Sequence, residues 1–287
     1  MTTRAQAIDK AAVLTEALPY IRAYKGATVV VKIGGAALEE AEHAAAVAED
    51  LALLSLVGID LVIVHGGGPQ VSQSMERLGL APRFVGGLRV TDEEAMRVVQ
   101  QVLIGQINKD LVAGLSASGL AAVGLSGIDG RLFEVKRTRG PAGEDIGWVG
   151  EVTSVESRLI GGLLSQGFTP VIASVAHDGT HAYNVNADVA AGAVASSLGA
   201  AKLVYLTNVE GLYSDLGDED SLVSEMKADQ LAAMLPTLSE GMRPKASSAV
   251  DALRSGVGKV HILDGRIPHA LLLEIFTDEG IGTQVLA

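Results

Sequence analysis

Short runs of four to six apolar, mostly β-branched residues recur along this chain, and the first two run directly into glycine-rich turns. Residues 28–33, TVVVKI, end at Gly34-Gly35, and residues 60–64, DLVIV, end at His65-Gly66-Gly67-Gly68-Pro69. A short run without polar alternation predicts a strand buried on both faces, the habit of parallel sheets covered by helices. Helical spacing fills the intervals. It predicts helices over 39–57, closed by Gly58, over 69–78, and from a start at Thr91-Asp92-Glu93-Glu94 to about Ser118, with an irregularity at Gly105. Thr91 or Asp92 caps that start, with acids in its first turn. Further strands are predicted at 121–125, 170–173, 202–206, 259–263 and 283–286, and further helices at 154–166, 188–198, 228–235 and 244–255. Residues 131–154 read as a hairpin around a turn at 140–143, and the polar segment 176–181 as a soft boundary between two αβ blocks. The alternation predicts an α/β fold with a mainly parallel sheet covered on both faces.

The 287 residues allow two domains or one large open α/β domain. Only ten residues are aromatic, so the core must be aliphatic. The absence of cysteine excludes disulfides, thiolate metal sites and cysteine nucleophiles. Six histidines show no metal-ligand spacing, so no protein-held metal is expected. The net charge, 22 − 34 = −12, argues against nucleic acid or an anionic membrane as partner. No run approaches the ~18 apolar residues of a membrane span. Residues 1–25 carry Asp9 and Glu16 where a signal peptide would be apolar, so the chain reads as cytoplasmic. They also place Ile8, Ala12, Leu14, Leu18 and Ile21 at roughly helical spacing, with Pro19 as a break or kink.

Glycine turns behind buried strands let backbone N–H groups approach an anion, and the helix that follows adds partial positive charge. Two such turns, one with Lys32 two residues before its glycine pair, favour a phosphate site over turn geometry alone. Neither matches GxxxxGK[ST] or GxGxxG, so a P-loop or Rossmann fingerprint is absent. Asp188 reads as a helix N-cap, with Asn184 and Asn186 ahead of it offering amides to a polar ligand. In Gly241-Met242-Arg243-Pro244-Lys245, a lysine in a first helical turn opposes the dipole, which suggests that an anion arrives there. Arg89, in Gly86–Thr91, suits a carboxylate; a surface arginine explains it equally well.

In order and spacing, the segments at 17–35, 63–70 (IVHGGGPQ), 86–91 (GGLRVT), 183–188 (YNVNAD), 206–213 (LTNVEGLY), 241–245 (GMRPK) and 261–283 resemble the amino-acid kinase family, in its acyl-amino-acid branch. The resemblance implies an open three-layer αβα sandwich around a mainly parallel sheet of about eight strands. It implies ATP with Mg²⁺ as cofactor and N-acetyl-L-glutamate as acceptor, phosphorylated on its side-chain carboxylate. By motif, Lys32 and Lys245 match the lysines that stabilise the transferring phosphoryl group, and Asp188 the carboxylate that positions both. Gly34 and Gly35 match the phosphate cradle, and Gly67, Gly68, Arg89 and Asn184 the acyl-amino-acid contacts. Thr207, Gly211, Leu212 and Tyr213 match the nucleotide side. Residues 26–178 would form a lobe for the acyl amino acid and for dimerisation, and 179–287 a lobe for ATP. The extension 1–25 resembles that of arginine-sensitive members assembled as trimers of dimers, in which His261, Glu274 and Gly280 match positions that contact L-arginine as inhibitor. Asn208 stands where LTDV is more usual, and Ile33 and Ala36 where many relatives carry an aromatic and an Asn. Kinases of glutamate, aspartate, carbamate, uridylate or carrier-linked aminoadipate remain the near alternatives. A non-catalytic ATP or arginine sensor is a further one, against which Lys32, Asp188 and Lys245 standing together argue; the missing GxGxxG counts against a Rossmann dehydrogenase.

Overall fold

The parallel arrangement follows from strands too apolar to face water on either side. The computed structural model describes residues 3–4, 15–35, 40–214, 218, 221–277 and 280–287. Along the first half run α1 (Leu18–Tyr24), β1 (Thr28–Ile33), α2 (Ala41–Leu56), β2 (Asp60–His65), α3 (Gly68–Arg77), the ribbon β3 (Phe84–Val85) and β4 (Leu88–Arg89), α4 (Glu93–Gln100), a π-helical segment (Gln101–Ile107), α5 (Asn108–Ala117), β5 (Ala122–Ser126), β6 (Phe133–Arg137), β7 (Val149–Val155), α6 (Ser157–Ser165) and β8 (Thr169–Ala173). The second half holds β9 (Val175–His177), β10 (Ala182–Val185), α7 (Ala187–Leu198), β11 (Lys202–Thr207), β12 (Glu225–Lys227), α8 (Ala228–Met234), α9 (Met242–Arg254), β13 (Lys259–Asp264), α10 (Ala270–Phe276) and β14 (Thr283–Leu286).

Eight strands form one sheet in the order β12-β14-β13-β11-β1-β2-β8-β5. All neighbours are parallel except β13 and β14, so six strands share a direction and the pair at one edge is reversed. Side chains alternate across it. Val29, Val31 and Ile33 of β1 pack with Leu51 and Leu54 of α2, Leu115 of α5, and Leu271 and Ile275 of α10. Val30 faces the other way, into a core built with Ala190 and Val194 of α7 and Ala249 and Leu253 of α9. These two apolar layers make the three-layer sandwich that the resemblance implied. A smaller core joins α3, α4 and the π segment.

Several local expectations change. The helix expected to start at 154 begins at Ser157, because Ser154 and Val155 complete β7. The hairpin β6–β7 exists, and β10 adds to β7 in parallel and β9 to β10, giving a four-stranded second sheet. The segment 176–181 lies within this second sheet. It belongs to the β9–β10 hairpin, whose turn Asp178 closes by accepting from Thr180 N and His181 N, each at 2.8 Å. The large sheet also runs unbroken between the halves, since β1 pairs along its length with β11. The helix from residue 93 does continue past Gly105, but through seven π-helical residues. Its cap is Asp92, which accepts from Ala95 N at 2.9 Å. Pro19 sits in the first turn of α1. Ile8, Ala12 and Leu14 lie outside the described residues; Leu18 is exposed and Ile21 half-buried. Among the described residues, no helix is long and apolar enough to cross a membrane.

Candidate active site

The strand order reverses between β1 and β11, and ligands of open α/β sheets gather at the carboxyl ends of strands beside such a point. Both glycine turns lie there. At Gly35 a side chain would press on the ring of Pro69, at 3.1 Å, so the two turns touch. At Gly66 it would meet the methyl of Ala187 at 3.2 Å, so the second turn abuts the start of α7. Gly34 N donates to Leu206 O at 3.1 Å, tying the first turn to β11.

Strand alternation sends Lys32 to the face of α7 and α9, where it meets Asp188 Oδ1 at 2.9 Å. Lys245 Nζ donates to the same oxygen at 2.9 Å. All three are buried, with at most 9% of any one exposed. Burial opposes ionisation of Asp188, but the charges and hydrogen bonds of Lys32 and Lys245 outweigh it, holding the carboxyl well below the usual range. Burial, only partly offset by Asp188, lowers the Lys245 ammonium to about 8. One carboxylate shared by two ammonium groups leaves a net positive charge at the junction of the glycine turns.

Asp188 does not cap α7, contrary to the expectation. Asn186 does, accepting from Asp188 N at 2.9 Å and Val189 N at 3.2 Å. With the cap filled from two residues earlier, the Asp188 side chain is free to turn onto the lysines. Two residues that the sequence reading passed over support it. Ser248 donates to Asp188 O at 2.8 Å, and Tyr205 donates to Ser248 Oγ at 2.9 Å. The Lys245 ammonium lies 5.0 Å from the centre of the Tyr205 ring. Ser248 follows Lys245 by three positions on α9, and that helical spacing was the available signal. Gly192 permits this approach, since a Cβ there would fall 2.2 Å from Ser248 Oγ.

A cavity of about 220 Å³ opens beside the triad, bordered by Lys32, Gly67, Gly68, Arg89, Asn184 and Asp188. Gly35 also lines it; Gly34 does not. Arg89 is 7% exposed and donates to Gly68 O and Ser72 Oγ, both at 2.8 Å. Burial lowers its pKa, and among the described residues no carboxylate pairs with it. Asn184 donates to Thr91 Oγ1 at 3.2 Å, which fixes its amide at the cavity wall. A desolvated cation with no anionic partner among the described residues, lining the same cavity as Lys32, suits an anion.

A second cavity, of about 620 Å³, is lined by Gly211, Leu212 and Tyr213 together with Met242, the first residue of the helix that carries Lys245. Thr207 does not line it; it ends β11, where its carbonyl accepts from Gly265 N at 2.9 Å. A third cavity, of about 300 Å³, lies between α1 and α10 and includes Tyr20, Tyr24, Lys202, Glu274 and Gly280. His261 is fully buried behind it and holds Glu274 through Nδ1. Among the described residues, no group of three or more carboxylates or histidines is placed to hold a metal.

The profile of the amino acid kinase family matches residues 27–264. The acetylglutamate kinase of Symbiobacterium thermophilum is 48% identical over 98% of this chain and 99% of its own, and that of Aquifex aeolicus 50% over 97% and 98%. Among solved structures, N-acetylglutamate synthase from Neisseria gonorrhoeae, complexed with coenzyme A and N-acetyl-glutamate, aligns with a TM-score of 0.86 and 32% identity over 96% of this chain and 63% of its own. Its complex with coenzyme A and L-arginine aligns with a TM-score of 0.82 at 30% identity, over 96% and 65%. Carbamate kinase from Giardia lamblia bound to AMP-PNP, at 16% identity over 91% and 98% with a TM-score of 0.64, shares the fold. With its sheet, its glycine turns and its lysine-bracketed aspartate, the chain belongs to the amino acid kinase family.

Proposed function

We propose that this chain transfers the γ-phosphoryl group of ATP to the side-chain carboxylate of N-acetyl-L-glutamate, forming N-acetyl-L-glutamyl 5-phosphate in arginine biosynthesis. The observation that carries the reading is Asp188 bracketed by Lys32 and Lys245 at the wall of a cavity that also holds the buried Arg89. The acceptor carboxylate has an unperturbed pKa of about 4.3, so it is already a nucleophile at neutral pH. One of its oxygens bonds to the γ-phosphorus while the bond to the β–γ bridging oxygen breaks. ADP leaves, and no proton needs to move. The obstacle is anion meeting anion, so catalysis rests on positioning and electrostatic stabilisation.

Arg89 clamps the α-carboxylate and Asn184 bonds the acylamino group. Gly67 and Gly68 line the acceptor side, and Gly34 and Gly35 lie against the phosphates. The larger cavity at Gly211, Leu212 and Tyr213 takes the nucleoside; Thr207, at the end of β11, lies outside its lining. On this reading residues 26–178 serve the acyl amino acid and the dimer contact, and 179–287 serve ATP. Mg²⁺ supplies charge neutralisation on the phosphates. When bound, it would be held by those phosphates and water rather than by a protein cage. The test is ATP-dependent acyl phosphate trapped as the hydroxamate. N-acetylglutamate should give it and free glutamate should not; equal yields would move the reading to another acceptor.

We further propose that L-arginine inhibits by binding the cavity between α1 and α10. Glu274 would pair its guanidinium, and Gly280 would offer backbone to its amino-acid end. A homohexamer, three dimers joined through residues 1–25, would transmit the effect in the cytoplasm. Support comes from an acid next to an aromatic-walled pocket at the edge of the sheet, and from the Neisseria synthase that shares this fold in complex with L-arginine.

A further inference from the structure

We propose that His65, paired with Asn108, is a positioning residue that aims the Gly67 backbone N–H into the acceptor cavity; this rests on the kinase reading above. Residue 65 ends β2 on the face away from the triad. Alternation puts Leu61, Ile63 and His65 with the layer of α2 and α5, whereas Lys32 faces α7. His65 is fully buried and touches neither substrate cavity.

Its hydrogen bonds leave one tautomer. Nδ1 lies 3.0 Å from Gly66 O, and a carbonyl can only accept, so Nδ1 carries the proton. Nε2 lies 3.1 Å from Asn108 Nδ2 and must accept. The Asn108 amide is itself fixed. Its nitrogen faces Leu125 O at 3.2 Å and Val171 O at 2.9 Å, and its oxygen accepts from Lys109 Nζ at 3.1 Å. Reversing the amide would set an oxygen against two carbonyls. Burial lowers the ring's pKa to about 4, and Lys109 and Lys32 act in the same direction, so the imidazole is neutral in the working range.

The consequence falls on the glycine turn. In a trans peptide the carbonyl and the following N–H point in opposite directions. Holding Gly66 O down against the buried ring therefore turns the Gly67 N–H away from it, towards the cavity that Gly66, Gly67 and Gly68 line. Among the described residues, none accepts from that N–H. The π-helical segment completes the clamp, since a Cβ at Gly67 would meet Ile107 Cδ1 at 2.1 Å and Leu103 Cδ2 at 2.9 Å. It also delivers Asn108, the first residue after it, to the ring. Gly124 leaves the room this needs, because a Cβ there would fall 2.1 Å from Asn108 Oδ1. The arrangement amounts to a donor preset for charge that develops on an oxygen during transfer.

The test uses the full chain and two isosteres. Asn at 65 keeps a donor near the Nδ1 position and loses Nε2; Gln keeps a group near Nε2 and loses Nδ1. H65N should retain kcat within about three-fold, and H65Q should lose at least about ten-fold, a milder loss than deleting an oriented donor outright. KM for both substrates should stay within about three-fold in each. Equal kcat for H65Q and wild type, or equal losses in both variants together with equal falls in Tm, would overturn the proposal. Should H65Q not fold, the ¹⁵N resonances of the wild-type imidazole decide: Nδ1 protonated supports the proposal, Nε2 protonated overturns it. Failure of the wild type to form acyl phosphate would instead overturn the kinase reading, which separates the two.

Discussion

Asp188 shares one carboxylate oxygen between two ammonium groups at 2.9 Å each, so removing any of the three charges strands the others in a buried place. Lys32→Ala and Lys245→Ala should each lower kcat by about 10²–10³ with smaller changes in the KM for ATP, the loss typical of one charge-assisted donor in a preorganised site. Asp188→Asn should fall comparably. Because Asn186 and not Asp188 caps α7, loss of the cap plays no part in that result. Steady-state kinetics in both substrates checks all three; near-normal kcat in both lysine variants would remove them from the chemistry. Arg89→Lys keeps the charge and loses the fork, so KM for N-acetylglutamate should rise at least about ten-fold while that for ATP holds; equal effects on both would place Arg89 outside the acceptor pocket. The third prediction concerns pH. The Lys245 ammonium is lowered to about 8, so in the free enzyme this cation is lost as pH rises through 8. The kcat/KM for ATP should therefore fall with a single-proton alkaline limb near there. The limb on kcat should lie higher, because bound phosphate favours the charged lysine. Lys245→Arg, if active, should flatten the limb.

At the scale of elements, a polar pair joins the start of α10 to α2 beside their apolar contact. Asp50, 1% exposed, meets His269 Nδ1 at 2.6 Å and accepts from the backbone of Leu271 and Leu272 in the first turn of α10. The residue at the cap position, His269, has φ 59°, a left-handed conformation uncommon outside glycine. Hydrogen bonding to Asp50, together with its charge, raises the pKa of His269. A raised cation stabilises the fold below its unfolded pKa of about 6.5, and the contribution is lost as pH rises through the higher folded value. The Tm difference between wild type and His269→Ala should thus be larger at pH 6 than at pH 8.5. A constant difference would mean that the pair acts through the neutral hydrogen bond alone. Because α10 also carries Glu274, loosening it should weaken any arginine effect in the same direction. Much at this scale was legible in the sequence. Runs of β-branched residues marked β1, β2, β8, β11 and β13 to within a residue or two, and β14 was placed at both ends. The start of α6 was misjudged because Ser154 and Val155 suit a helix cap and a strand end alike, and only pairing with β6 decides between them.

Over the whole molecule, six parallel strands place the carboxyl ends of β1, β2, β8 and β11 at one edge of the sheet, and both glycine turns and the start of α7 meet there. The sheet crosses from one half of the chain to the other through β1 and β11, and Lys32 stands on that junction, opposite Tyr205. Removing residues 1–22 should leave an active dimer that no longer responds to arginine, while the full chain sediments as a hexamer and is inhibited. Sedimentation and inhibition curves on the two proteins check this. A full-length dimer indifferent to millimolar arginine would end the regulatory reading and leave the kinase reading standing.

The sequence alone determined the class of fold, the glycine turns and the residues able to carry charge, because each depends on short-range rules: apolar runs of strand length without alternation, the conformational freedom of glycine, and the expense of a lysine in an apolar strand. What it left open were partners. Tyr205 and Ser248 behind Asp188, and Asn108 against His65, were settled only when strand order laid β2 beside β8 and β11 beside β1. Asn108 and His65 stand 43 residues apart, and Lys245 and Asp188 57 apart. Local propensity acts over a turn or two of chain. Which buried polar group satisfies which other is decided by packing across the sheet, where an unpaired donor or acceptor is too costly to leave.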